Sequence, residues 1–562
     1  MRFNISSLIL LQGSLVLAAN SQPSTWRDIA AERQQYRDAS ISRISPRIPN
    51  VNTATLPLDV LNTARSMLTR REVYITEMTT IELLDQLATG KLTSVEVTNA
   101  FLRRAGVAQK LVNCITEVLP ERALEQARAL DDYYRKNKKP IGPFHGLPVS
   151  LKEHVGIKGL DLNGGYSSNV GNISPIDNKL VEILRNAGAV FHARTTEPQS
   201  LMQLETTNQL YGTTLNPFNR NLTCGGSSGG EGALMGIRGS SIGIGSDIGG
   251  SIRVPSGNNG LYGLKPTPKR IPVGMISAIQ ESEGVEGTLG PISTSLEGLS
   301  LFMSTILAAE PWVEDLSVFP IPWRKETHFP TDASGKPRKI RVGVMRWDGV
   351  VMPHPPVTRA INEVVAKLKE HGDQFEIVDW VQEGAAKAWD TIAALYFADG
   401  ATGIHGELAK TGEPILPLTE WVITQATTPK PPGFNIQGLW EFKDRAGDFK
   451  RSYSAQWRAA GIDVLLTPVG PGVAPQHGTS KYWSYTSMFN LIDYPAAVFP
   501  VSKVDERDNG VWNYVPTGEQ DKVNKKRWDV NAFMGAPISL QLVAKRFEDE
   551  KVGRRELNSC FI

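Results

Sequence analysis

Residues 224–267 read CGGSSGGEGALMGIRGSSIGIGSDIGGSIRVPSGNNGLYGLKPT. Between Gly225 and Gly263, 14 of 39 residues are glycine, in a chain with 51 glycines in all. Glycine permits left-handed backbone and close approach, at an entropic cost, so this density marks a backbone folded tightly around something small. A flexible linker does not fit, because Leu, Met, Ile and Val are interleaved and the segment leaves through Leu264-Lys265-Pro266-Thr267. A phosphate cradle does not fit either, since Gly-Lys-[Ser/Thr] is missing and no clean G-x-G-x-x-G opens a helix after a strand. Two catalytic readings remain. Gly225-x-Ser227-x-Gly229 and Gly226-x-Ser228-x-Gly230 both match a nucleophile elbow, which needs a downstream histidine. His477 is the only histidine in the last 150 residues. In the other reading the segment supplies a serine nucleophile, a second serine as proton relay, and backbone N–H groups that receive an oxyanion.

The rest of the chain sets the frame for that segment. It has 562 residues, 41% of them hydrophobic, enough for a large buried core. The net charge of +2 argues against a nucleic-acid or membrane-surface protein. Cys114, Cys224 and Cys560 lie far apart, with neither zinc-ligand spacing nor a disulfide framework. Residues 1–20 read as a signal-like stretch or an extension, too short and polar to span a bilayer, and localisation stays open between cytoplasmic and secreted. Residues 21–78 read as an N-terminal helical arm, with a helical pattern near Trp26–Tyr36. At Thr79-x-x-Glu82 and Thr93-x-x-Glu96 capping boxes open two helices, and a third fits Glu121–Arg135. Helices also fit Lys179–Ala187 and Pro356–His371. Strands fit Val149–Leu151, Val190–Ala193, Ile340–Met345, Phe375–Val378, Val464–Pro468, Ala496–Val501 and Ile538–Val543. This alternation predicts an α/β layered fold with a large, mostly buried sheet. Residues 311–339 read as a connector between two halves of the sheet, and residues 546–562 as a C-terminal tail.

Three separated motifs occur together. They are Gly146-Leu147-Pro148-Val149-Ser150-Leu151-Lys152-Glu153, Gly225-Gly226-Ser227-Ser228-Gly229-Gly230, and Gly245-Ser246-Asp247-Ile248-Gly249-Gly250-Ser251-Ile252-Arg253. With Thr196-Glu197-Pro198-Gln199-Ser200 they resemble the amidase signature family, most closely its fungal acetamidase-like general amidases. The family spacing from lysine to first serine to nucleophilic serine is kept, at 75 and 24 residues. The resemblance implies the amidase signature fold, an α/β fold with a large mixed sheet covered by helices on both faces, over residues 79–545. It also implies hydrolysis of a carboxylic amide to a carboxylate and ammonia or an amine, with no metal and no cofactor.

By the same resemblance Ser251 is the acyl-forming nucleophile. Ser227 relays its proton to Lys152, and a cis peptide accompanies the Ser-Ser pair. Lys152 serves as base only if its amine is neutral, and burial at the end of an apolar strand lowers a lysine pKa. Glycines at 249 and 250 leave room for the N–H groups of Ile248, Gly249, Gly250 and Ser251 to converge on one oxygen. Leu201 is implied to line the substrate site through its backbone. Asp247 and Arg253 are expected to brace the loop, Ser228 to orient backbone, and His145 and His154 to be structural. Two rival functions remain at this point, a glutamine-hydrolysing amidotransferase subunit and a Ser-His-Asp esterase. The expected partner is a small-molecule amide, with a homodimer as the oligomer considered. A small aliphatic amide is the default substrate, and a specialised-metabolite role is equally compatible.

Overall fold

Pro148–Lys152, Val190–Thr195 and Pro537–Val543 are strands in which every residue is buried. Successive strand side chains point to opposite faces, so burial without alternation means that both faces are covered. The computed structural model describes residues 25–274, 276, 284–324, 330–332 and 334–553. The signal-like stretch and Cys560 lie outside the described residues.

The core is one sheet of eleven strands. In chain order they are β1 Ile115–Val118, β2 Pro148–Lys152, β3 Val190–Thr195, β4 Ile242–Asp247, β5 Tyr262–Lys265 and β6 Thr288–Ser293. They continue as β7 Ile340–Met345, β8 Phe375–Trp380, β9 Val464–Pro468, β10 Ala496–Lys503 and β11 Pro537–Val543. The spatial order is β1-β3-β2-β4-β6-β5-β10-β11-β9-β7-β8. β2 runs parallel to β3 and β4, and β7 runs parallel to β8 and β9. The central strands pair antiparallel, so the sheet is mixed.

All seven strands expected from the sequence are present, within one to two residues at their ends. β1, β4, β5 and β6 are additional. β4 reads Ile-Gly-Ile-Gly-Ser-Asp and carries no strand signal, because other side chains occupy the space over its glycines. A Cβ on Gly243 would meet Glu231 Oε2 at 1.9 Å, and one on Gly245 would meet Ser228 Oγ at 2.8 Å. The glycine-rich segment is therefore not one loop. It forms a turn, the helix Gly229–Gly236, β4, a second turn, the short helix Arg253–Asn258 and β5.

The helix Trp26–Ser42 starts from a capping box at Thr25 and Asp28. It packs against β1, where Tyr36 donates to Glu117 Oε2 at 2.8 Å. The Thr79–Glu82 box forms in full. At Thr93 only half of it forms: the threonine hydroxyl accepts from Glu96 N–H at 3.1 Å, while the Glu96 carboxylate turns to Arg71 at 2.8 Å. The packed body also runs past residue 545. Asp549 accepts from Thr267 N–H at 2.7 Å and pairs with Arg270 at 2.7 Å, both charges fully buried. No helix among the described residues is long and apolar enough to cross a membrane.

Candidate active site

Lys152 closes β2, and Asp247 closes the parallel β4 beside it, with Leu151 opposite Ile244. The site forms beyond these carboxyl ends, where open α/β sheets hold their ligands. Lys152 is fully buried. Its Nζ donates to Ser227 Oγ at 2.6 Å and to Ser246 Oγ at 3.0 Å. Burial pulls the amine down from its ordinary value to about 8, opposed in part by Glu197, Asp247 and Glu231. About one lysine in ten is then neutral at pH 7.

A buried carboxyl lies within electrostatic reach of this lysine. Glu231, on the helix that follows Ser228, accepts from Ser150 Oγ at 2.6 Å and from Thr195 Oγ1 at 2.7 Å. Burial pushes it up to about 8. Glu197 is raised as well, by burial and by the neighbouring Glu153.

Ser227 stands after the turn Gly225-Gly226. Gly226 is pressed against backbone, since a Cβ there would lie 2.6 Å from both Glu205 N and Glu205 O. The cis peptide bond is Gly226–Ser227, one bond ahead of the Ser227-Ser228 pair. Ser228 ties the two serine turns together. Its Oγ accepts from Ser246 N–H at 3.2 Å, and its N–H donates to Ser251 O at 3.1 Å.

The turn that carries Ser251 is braced by the Asp247–Arg253 ion pair, 3.0 Å and fully buried. Burial alone would raise the Asp247 carboxyl, but Arg253 brings it down to about 2. Asp247 also accepts from Gly250 N–H at 2.9 Å and from Ile252 N–H at 3.1 Å. This alters the expected set of four converging donors, because Gly250 N–H is already engaged. The N–H groups of Ile248, Gly249 and Ser251 have no partner among the described residues.

The carbonyls of this turn are held from outside. Tyr396 Oη donates to Ile248 O at 2.7 Å, and Thr486 Oγ1 donates to Gly249 O at 2.6 Å. A trans peptide points its N–H opposite its C=O, so these two hydroxyls set where the N–H groups of Gly249 and Gly250 aim. A Cβ on Gly249 would sit 2.8 Å from Tyr396 Oη, and one on Gly250 would sit 2.4 Å from Thr486 Oγ1. The two glycines admit the clamping hydroxyls.

Ser227, Ser246, Ser251, Ile248 and Leu201 line one cavity of about 460 Å³. Its walls include Met202, Val273, Leu289, Leu395 and Phe397. Leu201 and Ser200 adopt left-handed backbone, with φ of 61° and 65°. Gly249 and Gly250 are not among its lining residues. Ser246, Glu231, Tyr396 and Thr486 are contributors that the sequence reading did not assign. Ser246 had a signal, lying between Gly245 and Asp247 in a quoted motif, whereas Tyr396 and Thr486 come from distant helices with no local mark.

A family model described as Amidase matches residues 96–552. The chain belongs to the amidase family. A Schizosaccharomyces pombe protein named as an amidase is 43% identical over 536 residues, 94% of this chain and 97% of that one. An acetamidase of Emericella nidulans is 37% identical over 542 residues, 94% and 96% of the two chains. Among solved structures, a fatty acid amide hydrolase superposes with a TM-score of 0.86 at 32% identity, covering 95% of each chain. This amidase is therefore a hydrolase acting on amide bonds, built on the amidase signature fold.

Of the histidines the sequence singled out, His154 lines the cavity of the amidase, while His477 and His145 do not. His477 Nδ1 lies 3.1 Å from Glu205 Oε1 and its Nε2 3.1 Å from Arg220 O, so both ring nitrogens are engaged away from any serine. His145 accepts from Ile141 N–H at 3.3 Å. His477→Ala is expected to keep amide turnover within about tenfold of wild type. A loss of about 10³-fold or more in steady-state rate would instead restore the serine–histidine reading.

Proposed function

We propose that this amidase hydrolyses an aliphatic carboxylic amide through an acyl-enzyme on Ser251, using a Ser251-Ser227-Lys152 relay. The observation that carries the reading is the 2.6 Å contact of Lys152 Nζ with Ser227 Oγ inside a fully buried setting, with Ser227 and Ser251 on the same cavity. With the amine neutral, that contact can reverse, the nitrogen lone pair accepting from Ser227. Ser227 then takes the proton of Ser251, and Ser251 Oγ attacks the carbonyl carbon. The free N–H groups of the 248–251 turn receive the oxyanion. As the tetrahedral adduct collapses, the C–N bond breaks and the relay returns the proton to the leaving nitrogen. A water, deprotonated by the same relay, opens the ester and frees the carboxylate.

The acetamidases among the relatives and the apolar cavity walls both point to an alkyl acyl group. Each buried CH2 adds about 0.8 kcal/mol, about fourfold in kcat/KM. Ammonia release from acetamide, butyramide, hexanamide and benzamide, by the purified chain without ATP or a second subunit, tests this. The straight-chain series is expected to rise by about fourfold per CH2 until the cavity is filled. A series falling from acetamide upward would reject the apolar acyl site, and strict dependence on ATP and a partner would favour the amidotransferase reading.

A further inference from the structure

A second cavity, of about 260 Å³, lies on the far side of the Ser251 turn. It shares no lining residue with the cavity that holds the three serines. The partition between them has two parts. One is the helix Arg253–Asn258, whose Val254, Gly257 and Asn258 line the second cavity two turns or less beyond Ser251. The other is Trp483, almost fully buried, packed 6.2 Å from Tyr396 on the first side and 6.3 Å from Trp421 on the second.

The lining of this second cavity is apolar at its base, with Leu204, Val254, Trp421, Val469 and Phe533. Arg527 lines it too, half-buried, and burial holds its guanidinium below the ordinary arginine value. That guanidinium donates to Thr479 O at 3.0 Å and has no carboxylate partner among the described residues. The exposed Lys481 adds a second positive charge, and the single acidic lining residue, Glu519, lies 4.0 Å from Lys522. Half-burying a cation without a counter-charge is costly, and a guanidinium fork matches a carboxylate in plane and spacing. An apolar concavity with one convergent charged group is the usual form of a small-molecule site.

We infer that this cavity binds a medium-chain alkyl carboxylate, its head on Arg527 and its chain along Leu204, Val254 and Trp421. The choice of carboxylate over another monoanion rests on the proposed amide hydrolysis, which would generate this ligand class as product. The geometry of the cavity does not depend on it.

The test uses full-length enzyme whose Ser251 has been capped with a fluorophosphonate, confirmed by mass spectrometry, so that the substrate cavity is filled. Calorimetric titration with octanoate is expected to show saturable binding at one site per chain. Arg527→Gln is expected to weaken it at least tenfold, Arg527→Lys to restore part of it, and octan-1-ol to bind at least tenfold more weakly than octanoate. Octanoate binding that is absent or non-saturable in capped enzyme, or unchanged in a folded R527Q, overturns the inference. If R527Q does not fold, the comparison of octanoate with octan-1-ol and the R527K titration decide it alone. If Ser251 does not cap, the acyl-enzyme proposal fails, while octanoate titration of wild type and R527Q still decides this site.

Discussion

Ser251→Ala is expected to abolish amide hydrolysis, with kcat/KM falling by about 10⁴-fold or more, and to remove the covalent adduct that a fluorophosphonate is expected to form with the wild-type enzyme. Deleting the nucleophile of a serine hydrolase costs on this scale, because the residual rate comes only from binding and the oxyanion donors. The substitution is structurally mild. Ser251 is nearly fully buried, its carbonyl stays bonded to Ser228 N–H, and the Asp247–Arg253 pair that braces the turn does not involve its hydroxyl. Loss of rate with an unchanged melting temperature therefore reads the chemistry. Intact-mass measurement after labelling, followed by peptide mapping, locates the adduct. A full adduct on Ser227, or on any other serine of the S251A protein, would move the nucleophile and end the proposed order of the relay.

Lys152→Ala is expected to give the second large effect, about 10³-fold at pH 7, within the range for loss of a general base. The pH profile gives the sign. The amine must be neutral to accept a proton, and burial brings its pKa from 10.5 to about 8. Below that value the ammonium predominates, so kcat/KM is expected to rise tenfold per pH unit up to about 8 and to level off above it. In the proposed relay the limb belongs to Lys152, and it should vanish in K152A, leaving a low, flat rate. A wild-type profile already level from pH 6 would show that no group of this pKa controls the reaction. A limb persisting in K152A would assign it to another group, with the raised carboxyl of Glu231 the first candidate.

In the proposed relay a lysine takes the place of a histidine, and its surroundings favour a neutral amine. Its strand is buried on both faces, which removes water from the amine. The carboxyls of Glu197, Glu231 and Asp247 lie near enough to oppose that shift, and they keep it moderate. Asp247 is neutralised by Arg253, and Glu231 and Glu197 are themselves raised toward the neutral form, so none of them holds the lysine firmly charged.

What was legible in the residues was local. Strands with short apolar runs such as Val464-Leu465-Leu466, the Thr79–Glu82 box and the order and spacing of the lysine and serine motifs are readable without coordinates, because each depends on neighbours a few positions away. β4 was not legible, since its glycines make room for Glu231 and Ser228, which arrive from another element. The half-formed box at Thr93 was lost to Arg71, and Gly250 N–H was drawn to Asp247, both choices made by side chains that compete for the same donor or acceptor. The residues that clamp the Ser251 turn, Tyr396 and Thr486, come from 148 and 237 positions away from the carbonyls they hold. The amino-acid sequence by itself determined the family, most of the sheet's buried strands and the motif positions that bring Lys152 to Ser227. Only the tertiary structure decided which backbone donors remain free and how much charge the buried lysine keeps, because hydrogen-bond competition and desolvation depend on what packs across the fold.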